Sequence, residues 1–172
     1  MPASAISPAA RASAPALALA ACGPVAVGAL IAARSGTYAP LAAVPAVVFG
    51  VLAATAPALY IASAAAGTAP PLAEMSRTLA VALGAFGIAL AGLLLPAVFL
   101  GLSALSPTAA FAVVSAPIGA AALLAVYRLA QELRVRAPRS TTAGTLVFTV
   151  WWLATLGIAG RLWWDLADEV LS

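Results

Sequence analysis

Charge is what this chain has least of. Asp, Glu, Lys and Arg make up 8% of its 172 residues, against roughly 25% in an ordinary soluble domain, which leaves too little to wet a globular surface. Histidine is absent and cysteine occurs once, as Cys22. Those two shortages exclude haem ligation by His, the usual His and Cys zinc sets, and an intrachain disulfide. Lysine is missing as well. All eight basic residues are arginine, and with the excess of alanine this fits a GC-rich coding bias, so single small residues carry little functional meaning. Ionisable groups are also missing from the middle of every long apolar run. An intramembrane protease, an acyltransferase or an ion-driven pump keeps such groups at depth because they do the work there. The expectation is a protein that is not an enzyme, with no catalytic residue, no metal site and no cofactor.

What the chain does have is apolar length. It is 65% hydrophobic, with a mean hydropathy of +1.11, and the apolar residues fall into runs near the ~20 that cross a bilayer. Five such runs stand at residues 14–33, 41–63, 79–102, 109–127 and 145–164. The breaks between them carry turn residues: Arg34-Ser35-Gly36-Thr37, then Gly67-Thr68-Ala69-Pro70-Pro71 running on to Thr78, Ser103 to Thr108, and Arg128 to Gly144. The fold class expected is all-α: an integral membrane bundle of about five transmembrane helices. Residues 1–13 form a short tail before the membrane domain at 14–164, and 165–172 a short acidic tail after it. Pro24, Pro45, Pro57, Pro96 and Pro117 fall inside the runs, where each removes a backbone donor without barring a membrane helix.

The placement of arginine orients the bundle. With five spans, the N-terminus, the 64–78 loop and the 128–144 loop share one side, which collects Arg11, Arg77, Arg128, Arg134, Arg136 and Arg139. The other side receives Arg34 and Arg161. Basic loops resist translocation, so the N-terminus is expected in the cytoplasm and the C-terminus outside, in a bacterial cytoplasmic (inner) membrane. Topology thus accounts for the net charge of +3, and no nucleic-acid partner is expected. Tyr60 and Tyr127 at the inner ends, and Tyr38, Trp163 and Trp164 at the outer ends, suit the headgroup zone. Trp151 and Trp152 lie deeper, and no polar group in the sequence converges on them.

Leu19-Ala20-Ala21-Cys22-Gly23 reads like the cleavage box of a bacterial lipoprotein signal, with Arg11 before it. Hydrophobicity continues through Val25, Val27, Leu30 and Ile31, where a released lipoprotein carries a polar linker. Residues 14–33 also make about 30 Å of helix, the thickness of the hydrocarbon core. The expectation is a retained helix, with Cys22 a small buried residue that is not lipidated.

Two features remain as candidate sites. Arg128, Glu132 and Arg136 stand at i, i+4 and i+8 and, with Arg134 and Arg139, form a basic patch over 128–140 for anionic lipid or a cytoplasmic partner; the plainer alternative is an anchor that fixes orientation. Ala80, Gly84, Gly87 and Ala91, spaced 4, 3 and 4, line one face of the third span, and Ser115 and Gly119 form a similar pair in the fourth. Small residues let helices approach closely, either within the chain or in a homo- or hetero-oligomer. Asp165, Asp168 and Glu169 read as a solvated helix end rather than a cation site.

Five spans, a cytoplasmic N-terminus, Pro57-Ala58-Leu59-Tyr60 at the end of span two, the polar loop with Glu74, Ser76 and Arg77, and a long third span interrupted at Pro96 together resemble bacterial Yip1-like membrane proteins. The resemblance covers roughly residues 41 to 164 and implies a compact helical domain without known enzymatic activity. With residues 1–13 before the first run, no substantial soluble N-terminal region is expected, a departure from the resemblance. The function expected is a scaffold, assembly partner or membrane-organising component. The alternative is a small permease or pore-forming subunit, for which the polar candidates Thr55, Ser63, Ser115, Thr149 and Thr155 are scattered rather than aligned.

Overall fold

A computed structural model describes residues 8–136 and 142–172; for residues 8–13, 135 and 136 it describes the backbone alone. Five helices follow in order: α1 (Pro8–Ser35), α2 (Ala39–Ala65), α3 (Leu72–Ser103), α4 (Pro107–Arg136) and α5 (Thr142–Leu171). All five are long and apolar enough to cross a membrane. The fold is therefore all-α and compatible with a multi-pass membrane protein.

The turns show why the chain reverses where it does. Gly36 closes α1 with φ of +74° and gives its N–H to the Ala32 carbonyl at 3.0 Å. Gly67 does the same after α2, with φ of +67°, while Thr68 N–H reaches back to the Ser63 carbonyl at 2.9 Å. Both are left-handed helix caps, a conformation that costs glycine nothing. Ser106 caps α4: its hydroxyl accepts the Ala109 N–H at 3.2 Å, and Pro107 opens the helix where no donor is needed. The internal prolines leave every helix continuous.

Successive helices run in opposite directions. At one end the C-terminal ends of α1, α3 and α5 meet the N-terminal end of α4, as the Arg34 guanidinium donating to the Ala104 carbonyl at 3.1 Å requires. At the other end Leu59, Met75 and Leu129 share a buried cluster with Phe148 and Trp151 against it. These are termed the Arg34 end and the Met75 end. A larger apolar cluster joins α1 through Ala20, Val27 and Ile31 to Val44, Phe86, Leu90, Val114, Ile118 and Leu166.

Helix α1 has the largest buried share of the five apolar windows, all of it on one face. Ala16, Ala20, Gly23, Pro24, Val27, Gly28 and Ile31 are all buried, and their 4, 3, 1, 3, 1, 3 spacing makes one continuous stripe. Cys22 lies off that stripe, on the surface of the bundle, where burial of a spanning helix would be in lipid rather than in protein. Helix α5 is the opposite case. None of its apolar window is buried, and Leu166 is its one buried residue.

The helices outrun the apolar runs. Helix α3 has 32 residues, about 48 Å against a hydrocarbon core of about 30 Å. It begins at Leu72, so Glu74, Ser76 and Arg77, read from the sequence as loop residues, stand in its first turns. Helix α4 runs on to Arg136 and α5 to Leu171. The excess on α3 and α4 falls at the Met75 end, where Leu79 and Leu133 pack against the Met75 and Leu129 cluster.

Candidate functional site

The small-residue face on α3 meets α1. Gly84 and Gly87 are buried and Ala80 and Ala91 half-buried. A methyl group placed on Gly87 would lie 2.5 Å from the Ala16 carbonyl oxygen and 2.9 Å from Ala20 Cα, and closer still to Ala20 N; one on Gly84 would lie 3.3 Å from Ala16 Cβ. Glycine at 87 is therefore set by backbone-to-backbone approach, which no side-chain rotation relieves. The same approach recurs between α1 and α2, where a methyl on Gly28 would lie 2.5 Å from the Pro40 carbonyl oxygen. The pair on α4 behaves differently. Gly119 faces open space, and the buried Ser115 hydroxyl has no hydrogen-bond partner among the described residues, nor has that of Thr155.

The basic patch is only partly described. Arg128 and Arg134 are exposed on α4, Glu132 is half-buried between them, and Arg136 ends the helix. Arg139 lies outside the described residues, as does the whole segment between α4 and α5. Because α3 extends to Leu72, Arg77 and Glu74 stand exposed at this same Met75 end, next to the polar continuation of α4. Tyr127 accepts a hydrogen bond from Gln131 at 2.9 Å one turn further on.

Trp151 has a polar partner that sequence reasoning missed. Its indole N–H donates to the Thr55 main-chain carbonyl at 2.7 Å, tying α5 to α2. A main-chain acceptor leaves no trace in residue type, so the only sequence signal was an indole placed deep in an apolar run, where its N–H must find something. The Thr55 hydroxyl turns back to the Val51 carbonyl at 2.8 Å, and that of Thr149 to the Thr145 carbonyl at 2.9 Å. These two hydroxyls serve their own helices and line no shared path.

The Arg34 end holds a cavity of about 100 Å³ between α1, the α3–α4 turn, α4 and the last turn of α5. Ile31, Phe111, Val114 and Val170 wall it with apolar surface, and Arg34 and Ser106 stand at its rim. Phe111 is braced from behind by Trp163, with ring centroids 6.2 Å apart. Arg161, one turn before Asp165, pairs with it at 3.1 Å on the exposed face of α5. Among the described residues, no group of three or more His, Cys, Asp and Glu could hold a metal ion.

The class that this fold defines is a bundle of five candidate membrane-spanning helices. Comparison with protein-family models, with curated proteins and with solved structures gives no match.

Proposed function

We propose that this chain is a non-enzymatic multi-pass protein of the bacterial cytoplasmic membrane that works as a scaffold or assembly component, with α5 as the helix it offers to a partner. The observation that carries the reading is the exposure of α5. Its whole apolar window is unburied, and Gly157 and Gly160 face open space, although α1 and α3 use glycine for close contact. A span that buries so little against its own bundle has its packing surface free for another chain. The partner is a second copy or a different membrane protein.

The orientation belongs to the same proposal: Met75 end and basic patch in the cytoplasm, Arg34 end outside. Arg128, Arg134, Arg136 and Arg139, joined by Arg77 on α3, then offer a cytoplasmic surface to anionic lipid or to a partner, each worth about 1 kcal/mol at an acidic membrane. The Yip1-like resemblance is part of this reading and rests on the span count and the residues that suggested it. The permease alternative needs a polar stripe, and the back-bonded hydroxyls of Thr55 and Thr149 supply none.

The test is the assembly state of Gly157→Leu/Gly160→Leu. A Cβ added at either position meets nothing within 4 Å, and thermal melting of the double variant checks that it remains folded. Wild-type protein extracted in mild detergent is expected to carry a stoichiometric partner or second copy, and the double variant to lose it. A wild-type chain that is monomeric and alone under cross-linking in native membranes would contradict the proposal, and solute flux through liposomes containing only this protein would favour a pore.

A further inference from the structure

We infer that the cavity at the Arg34 end is a lipid site that takes the upper part of one acyl chain, with the headgroup phosphate of a phospholipid carrying net negative charge held by Arg34. The inference goes beyond the assembly role and needs only that the helices span a bilayer.

Four observations converge. First, Arg34 lines the cavity: one of its N–H groups is bound to the Ala104 carbonyl at 3.1 Å, which leaves four of the five donors of a guanidinium for a ligand. Second, that cation has no carboxylate within ion-pair distance among the described residues, and Asp165, an acidic side chain on the same end of α5, is already held by Arg161. Third, the interior beneath it is apolar. Ile31, Phe111, Val114 and Val170 line a partly open space of about 100 Å³. Such a space seats a stretch of alkyl chain, not a whole lipid, and offers a water few partners. Fourth, the rim mixes polar and apolar groups: Leu105 is fully exposed in the turn beside Arg34 and Ser106, which suits the boundary between headgroups and acyl chains.

Depth agrees with this placement. Arg34 and Ser106 lie at the helix ends, whereas Val114 lies two turns further in, about 10 Å along the helix axis. A phospholipid in that leaflet has the same layout, with phosphate at the surface and methylenes beneath it. Guanidinium and phosphate form paired N–H to oxygen bonds, and a fixed guanidinium loses little freedom in making them.

The full chain, purified in detergent and mixed with phosphatidylglycerol, phosphatidylethanolamine or oleate, is read by native mass spectrometry. One phosphatidylglycerol per chain is expected to survive, in preference to phosphatidylethanolamine. Arg34→Gln is expected to weaken its retention on the order of tenfold, and Val170→Trp, which fills the cavity from the last turn of α5, to weaken it as well. Both variants lie near helix ends, and thermal melting in lipid-free detergent checks that they remain folded. Undiminished retention by folded Arg34→Gln reduces the binding to the general lipid annulus and overturns the inference. Undiminished retention by folded Val170→Trp shows that the cavity is not the seat and overturns it too. Displacement of phosphatidylglycerol by equimolar oleate assigns the site to a free fatty acid and overturns the phospholipid.

Discussion

Replacing Gly87 by alanine tests the tightest contact in the bundle with a single methyl group. The added carbon meets the Ala16 carbonyl oxygen at 2.5 Å and Ala20 Cα at 2.9 Å, and ordinary contact begins near 3.4 Å, so α1 and α3 must separate by roughly 1 Å. A gap of that size forfeits up to half of each dispersion contact along the seam. The neighbours that lose them include Ala20 and Leu90, both fully buried. Overpacking of this kind costs about 1–3 kcal/mol. Gly92→Ala is the matched control: it makes the same chemical change five residues further along α3, where nothing lies within 4 Å. Helix preference for alanine over glycine favours both variants by up to about 1 kcal/mol, so the difference between them isolates the seam. Reversible unfolding in mixed micelles, followed by tryptophan fluorescence, is expected to place Gly87→Ala about 2 kcal/mol below Gly92→Ala, roughly thirtyfold in the folding equilibrium. Equal stability of the two variants would refute the backbone contact between α1 and α3.

Trp151→Phe keeps an aromatic ring but removes the donor to the Thr55 carbonyl; a loss of about 0.6–1.5 kcal/mol is expected in the same unfolding assay, with Trp152→Phe closer to neutral. Asp165→Asn breaks the pair with Arg161, whose side chains are 75% and 50% exposed; solvent screening and the unfavourable order of Arg before Asp along the helix leave at most a few tenths of a kcal/mol, read as an unchanged midpoint. Intact mass of the purified protein is expected to show a chain beginning near Met1 without diacylglycerol on Cys22. Loss of residues 1–21 with lipid on the cysteine would remove the first span and leave four.

The sequence carried the helix count and little of the pairing. Apolar length reports contact with hydrocarbon, so the five runs mark the five helices. It falls silent where a helix runs on past its apolar stretch, and α3 therefore begins at Leu72 instead of residue 79. A local signal was present there: Pro70-Pro71 bars a helix upstream, the strong helix formers Leu72, Ala73, Glu74 and Met75 follow, and Glu74 stands where the helix dipole favours an acid. Which helices touch was not legible, because alanine, leucine and valine fill buried and lipid-facing positions alike. Gly87 and Gly119 look equivalent as residues of small-residue pairs, yet one meets Ala16 and Ala20 while the other faces open space. The bond from Trp151 and the cavity at Arg34 depend on chain crossings between residues far apart in sequence, and no local pattern encodes them.

The measurement that bears most directly on the account is the side of the membrane reached by two points in the chain. Five spans with the basic patch in the cytoplasm predict that a reporter active only in the periplasm is active when fused after Ser172 and silent when inserted within residues 134–140. The reverse pattern would contradict the orientation, and activity on the same side at both points would contradict the five-span path itself.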